Sequence, residues 1–173
     1  MEKMKILIVD DDEVLLDTFK NGLSAKGHHC DTATGAIPAL ELIEKKSFNI
    51  MIADIIIPDM DGLELTAKVK RMRPEVSTII ITGHIEDFPY DLAIEAGASD
   101  FIKKPFTLKE LIARINHVQV QEKLRKREEE LRNKVKELEE FYEIAVGREL
   151  KMKELKKEIE TLRKKVERKR NRK

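Results

Sequence analysis

The sequence predicts an α/β fold, a doubly wound five-stranded parallel sheet, followed by a long C-terminal α-helical coiled-coil extension. One observation predicts the sheet and two the extension. Five short apolar runs alternate with five segments of helical spacing over the first two thirds of the chain. Such alternation needs parallel strands whose crossover helices cover both sheet faces. Beyond Thr107 there is no proline and a single glycine, Gly147, and apolar residues recur every seven positions. Charge divides at the same place: residues 1–107 carry 12 basic and 19 acidic residues, residues 108–173 carry 22 and 14. The net charge of +1 over 173 residues hides that division. Two kinds of structure are expected, with a domain at 1–120 and a helical coil with a basic tail at 121–173.

Each element follows from its residues. Residues 5–10, KILIVD, form an apolar run ending in acid. Residues 12–27 have helical spacing at Val14, Leu15, Phe19 and Leu23 and stop at Gly27. HHCDTA, 28–33, reads as a weak edge strand. Thr34 is expected to cap the next helix, whose first turn tolerates Pro38. NIMIAD, 49–54, is apolar throughout until Asp54, as a strand buried on both faces is. A loop with Pro58 leads to a helix at about 62–72. STIIIT, 77–82, is the fourth strand, a helix at about 86–96 ends at Gly97, and DFIKK, 100–104, is the fifth strand. Thr107 caps the last helix.

In that helix one series runs Leu124, Leu131, Leu138, Ala145, Met152, Ile159, Val166. A second lies four residues after the first at Val135 and Tyr142, but three after it at Leu155 and Leu162. The seam therefore shifts register by three residues near Gly147. If helical, residues 108–170 span roughly 95 Å at ~1.5 Å per residue, too long to pack wholly on so small a domain. An intramolecular hairpin turning at Gly147 is one arrangement; a parallel dimeric coiled coil is favoured, because no turn-forming residues surround that glycine.

The lone Cys30 rules out an internal disulfide framework and fits a cytoplasmic location. No run approaches the ~18 apolar residues of a membrane span, and the N-terminus lacks a signal-peptide core.

In a doubly wound sheet, strand carboxyl ends share one edge, where sites form. Asp10 and Asp11 follow strand one, Asp54 closes strand three, Thr82 strand four and Lys104 strand five. Three carboxylates crowded there repel one another unless a cation joins them. A hard cation, Mg²⁺ or Mn²⁺, suits such oxygen donors together with phosphoryl oxygens. Lys104 and Thr82 can address those oxygens as well, and a carboxylate so placed is a competent nucleophile toward phosphorus.

The stretches ILIVDDD, MIADIIIPDMDGLEL, IIITGH and GASDFIKKPF, in order within residues 4–117, resemble the receiver domain of two-component response regulators. The resemblance implies a flavodoxin-like sheet of order 2-1-3-4-5 and phosphorylation by a sensor histidine kinase. Residue by residue, it implies that Asp54 is the phosphoacceptor. Asp10, Asp11, Asp54 and the backbone carbonyl of Ile56 hold the metal. Thr82 and Lys104 bind the phosphoryl group, Thr82 and Phe101 act as the switch, and the Lys104–Pro105 peptide bond is cis. Ile56 and His84 occupy positions that tune the lifetime of the phosphorylated state. An apolar Ile56 positions attacking water poorly, so a long-lived phospho-Asp54 is expected. Phe101 stands where a tyrosine is frequent and lacks its hydroxyl.

Plainer readings compete. Asp12 is a helix cap by position. His28, His29 and Cys30 suggest a metal cluster, but strand alternation puts His29 on the opposite face and no further ligands complete four. DMDG, 59–62, lacks the later ligands of a calcium loop. The basic tail interleaves lysine with glutamate and lacks aromatics, which argues against nucleic-acid binding. Residues 138–162 resemble signalling helices that connect modules. No helix-turn-helix, kinase or hydrolase segment follows. The expected function is a phosphorylation-controlled interaction module, a homodimer through the C-terminal helix with an unidentified downstream protein partner, and not an enzyme. The alternatives are a dimeric scaffold that never carries phosphate, and a fragment of a larger protein with a missing output domain.

Overall fold

A computed structural model describes residues 3–83 and 90–170. Its elements in chain order are β1 (Lys5–Val9), α1 (Glu13–Ala25), β2 (His29–Ala33), α2 (Ala36–Lys45), β3 (Ile50–Asp54), α3 (Gly62–Met72), β4 (Ser77–Thr82), α4 (Tyr90–Glu95), β5 (Asp100–Lys103) and α5 (Leu108–Arg170). The strands form one parallel sheet in the order β2-β1-β3-β4-β5. This is the flavodoxin-like architecture, with a long C-terminal helix added.

The burial of each strand explains its composition. β3 and β4 are central and buried at every residue, which is why IMIAD and STIIIT do not alternate. β2 lies at an edge and keeps only Ala33 buried. Two cores flank the sheet. Ile6, Ile8, Ile50, Ile52, Ile79 and Ile81 face α1 and the first turns of α5, meeting Leu16, Phe19, Leu23, Leu111, Ile115 and Val118. Leu7, Val9, Met51 and Ala53 point the other way, against α2 and α3. Alternation of side chains along each strand feeds both layers.

Helix starts follow local chemistry, with one departure from expectation. Asp12 accepts from the Val14 and Leu15 amides and caps α1. Asp61 caps α3 through the Glu64 amide. Thr107 and Glu110 form a reciprocal capping box at α5. Thr34, however, is not the cap of α2: Gly35 takes that position and supplies no side-chain acceptor. Residues 84–89, where the helix at about 86–96 was expected to begin, lie outside the described residues, as does His84.

Met1–Glu122 and Lys123–Lys173 form two compact units. In the second, Leu124, Leu131, Leu138, Met152, Ile159, Val135, Tyr142, Leu155 and Leu162 are all exposed. The helix runs through Gly147 without a break, so no hairpin turns there. The side chain of Val166 lies outside those described. Among the described residues no helix is long and apolar enough to cross a membrane.

Candidate functional site

The site begins with the sheet register. Parallel pairing puts Val9 beside Ala53 and Asp54 beside Ile81, so β1, β3 and β4 end at the same level. The Ile55 amide donates to the Ile81 carbonyl (3.0 Å), and the Lys104 amide donates to Thr82 (2.7 Å). These bonds carry the ladder one residue beyond the strands. They bring Asp10, Asp54, Thr82 and Lys104 to one edge from positions up to 94 residues apart.

Asp10 and Asp54 are buried, at 1% and 7% exposure. The Lys104 ammonium bridges them, donating to Asp10 Oδ2 at 3.1 Å and to Asp54 Oδ2. The Asp12 amide donates to Asp10 Oδ1 (3.0 Å), and the Ile56 amide donates to Asp54 Oδ1 (3.4 Å). Thr82 is buried at the end of β4. Phe101 is half-buried on β5 and packs with the Ile80–Ala93 cluster. The Lys104–Pro105 peptide bond is cis.

One ammonium between two carboxylates leaves the group one negative charge in excess. Burial pushes the Asp10 carboxyl above its ordinary pKa, and the Asp12 amide and Lys104 only partly offset it. For Lys104, burial favours the neutral amine, but the hydrogen bonds and charges of Asp54 and Asp10 outweigh it and the pKa is raised. The ammonium is therefore firmly charged.

Three carboxylates were expected to converge; Asp10 and Asp54 share the Lys104 ammonium, and Asp11 is the third. Asp11 is exposed, and among the described residues no group of three or more Asp, Glu, His or Cys side chains converges on a point. The oxygen donor set of Asp10 and Asp54 still fits Mg²⁺, which needs only one or two carboxylates besides water and phosphoryl oxygens. Ile56 has its side chain in solvent, 72% exposed.

The His28–Cys30 cluster does not form a site. His28 is buried with neither ring nitrogen hydrogen-bonded, and His29 is exposed. Two contributors escaped the sequence reading. Gly62 passes so close to the Asp54 carbonyl that an added Cβ would overlap it, while its amide donates to Ile55 (2.8 Å). The Asp-Gly pair at 61–62 was the available signal, legible only as a turn. Asp12 fixes Asp10 as well as capping α1, a double role that spacing does not reveal.

Sheet order and a polar centre at the strand carboxyl ends define a flavodoxin-like α/β module. Residues 6–116 match the response regulator receiver domain, and the chain belongs to that family, the signalling modules of two-component systems. Transcriptional regulatory protein BasR of Escherichia coli (strain K12) is 34% identical over 112 residues, covering 65% of this chain and 50% of the relative. Response regulator MprA of Mycobacterium leprae (strain TN) is 30% identical over 112 residues, 65% of this chain and 49% of the relative. The chain thus spans about half the length of these curated relatives. Among solved structures, a CheY-like response regulator receiver domain protein from Methanospirillum hungatei JF-1 is 36% identical, with a TM-score of 0.66 over 70% of this chain and 98% of that one. NtrX from Brucella abortus is 32% identical with a TM-score of 0.68, over 75% of this chain and 30% of that one.

Proposed function

We propose that residues 1–120 act as a phosphoacceptor domain, that Asp54 takes a phosphoryl group from a sensor histidine kinase, and that residues 121–173 transmit the state as a homodimeric coiled coil. The observation that carries the reading is the buried Asp54 carboxylate at the end of β3, bridged to Asp10 by the Lys104 ammonium. An Asp54 oxygen attacks the phosphorus of a phosphohistidine. A P–O bond forms, the P–N bond breaks, and its electron pair returns to the imidazole. Asp10 and Asp54, with Asp11 and the Ile56 carbonyl beside them, would hold Mg²⁺, which supplies charge neutralisation for the phosphoryl oxygens. Lys104 releases Asp54 Oδ2 and follows the incoming phosphoryl charge. Thr82 supplies a hydroxyl to the same group, and its displacement offers Phe101 space to turn further inward. Exposed Ile56 provides nothing to orient water, which supports a slow loss of phosphate.

In α5 the seam reads as heptad positions a at Val135, Tyr142, Met152 and Ile159, and d at Leu131, Leu138, Ala145, Leu155 and Leu162. Val135 and Ile159 are β-branched at a and four of the five d residues are leucine, and β-branched a with leucine d favours two parallel strands. All the large residues of this seam are exposed in the single chain.

Incubation with acetyl phosphate and Mg²⁺ tests the acceptor. A mass gain of one phosphoryl group, stable in acid and labile in alkali, is expected in the wild type and absent from Asp54→Asn. A wild type that never gains mass would favour the dimeric scaffold instead.

A further inference from the structure

Residues 141–150 differ from the heptads that follow them. The segment 152–158 carries two apolar residues in seven, both in the seam, whereas six of the ten residues FYEIAVGREL are apolar. Phe141, Ile144, Val146 and Leu150 lie outside the a and d positions and are exposed by between 38% and 70%. At about 100° per residue, the apolar side chains here cover roughly 240° of the helix circumference, far more than a two-stranded seam uses. Ile144, Gly147 and Leu150 follow one another at intervals of three and centre on the side opposite the seam. A helix apolar on both sides is normally covered on both.

Gly147 sits at the middle of this outer face. A Cβ added there would meet nothing within 4 Å, so the chain's own fold does not require a glycine. Its helical conformation does not require one either, and glycine in a helix interior costs about 1 kcal/mol relative to alanine. What glycine provides is the closest possible approach of a second helix backbone.

Charge reverses across the same point. Residues 128–143 hold seven acidic and three basic residues, and residues 148–157 hold five basic and two acidic. A neighbour running in the same direction would set like against like.

We propose that the outer face is covered by a second copy of the dimer, packed antiparallel and centred on Gly147, so that two coiled coils form a local four-helix tetramer. Reversal about Gly147 brings Ile144 level with Leu150, Glu143 with Lys151 and Glu137 with Lys157 of the opposing copy. One like-charged level, Glu140 with Glu154, is set against these two. A closed, symmetric assembly of this kind buries the apolar belt without leaving an open end. The inference rests on the parallel dimer proposed above and goes beyond it.

Light scattering and sedimentation equilibrium on the full chain test it. The wild type is expected at four times the 20.1 kDa chain mass. Ile144→Ser combined with Leu150→Ser leaves the seam intact and should give twice the chain mass with unchanged helix content. Gly147→Gln, which improves helix propensity, should give the same dimer. Glu143→Lys should weaken the tetramer, and adding Lys151→Glu should restore it. A wild type that stays at twice the chain mass up to high micromolar concentration overturns the outer face and leaves the dimer standing. A tetramer indifferent to the Ile144 and Leu150 changes overturns it too, and failure of the charge swap to restore assembly overturns the antiparallel order. A wild type at single-chain mass removes both readings.

Discussion

The two units of this chain treat the same residue types in opposite ways. In the first unit the isoleucines of the central strands are covered by neighbours from the same chain: Ile6, Ile8, Ile50, Ile52, Ile79 and Ile81 are essentially inaccessible. In the second unit, Leu131, Leu138, Leu155 and Leu162 stand at least 46% exposed. The receiver closes its core by bringing distant segments together. A lone helix has no distant segments to bring, so its apolar stripe stays exposed.

Melting measured over a range of protein concentrations makes the largest demand on this contrast. The helical signal of the second unit should shift upward by tens of degrees from nanomolar to high micromolar chain, because the proposed assembly would stabilise it by mass action. The receiver transition, followed through its tertiary signal, should move little. Two transitions that both ignore concentration would break the comparison.

Within the receiver, Gly62→Ala should cost about 1–3 kcal/mol, the range for forcing an extra methyl into packed structure. The added carbon would strike the Asp54 carbonyl, so phosphorylation should slow together with the loss of stability. Denaturant unfolding beside an acetyl phosphate assay checks both; an unchanged midpoint would show that α3 can shift freely.

Asp10→Asn should act in the opposite direction on stability. Burial raises the Asp10 pKa, so the folded state favours the protonated form. Stability from this group is present at low pH and falls as pH rises from the unfolded value of 3.8 through the raised one. The neutral amide removes that loss and should stabilise at neutral pH, while impairing Mg²⁺-dependent phosphorylation, a stability–function trade-off. Equal midpoints for variant and wild type at pH 7 would count against it.

The smallest effect belongs to His28. Burial lowers its pKa, so stability is full above the unfolded value of 6.5 and is lost as pH falls through the window beneath it. His28→Leu should flatten stability against pH there. Persistence of the slope in the variant would assign it to other groups.

Much of the receiver was legible because period and punctuation coincide in it. Buried strands read as unbroken apolar runs, and each ends on the polar residue that reaches the edge. Asp54, Asp10, Thr82 and Lys104 were therefore visible as strand ends before any coordinates. Three details were not. Gly35 displaced Thr34 as the cap of α2, because a cap is fixed by where helical dihedrals begin, and one residue lies within the error of reading periodicity. Asp11 is exposed where Asp10 is buried, since neighbours in sequence need not share an environment. Gly62 gave no sign of touching Asp54, because close approach of two backbones leaves no trace in hydrophobicity.

The sequence by itself determined which segments are strands, which are helices, and that the last third follows a seven-residue rhythm broken near Gly147. Those are local properties, set by side-chain period and by glycine and proline. Tertiary structure decided what depends on distance: that one ammonium is shared by Asp10 and Asp54, that Asp11 turns to solvent, and that Gly62 must be small. Coulomb energy, burial and steric overlap depend on separation in space, and a linear order of residues does not contain it.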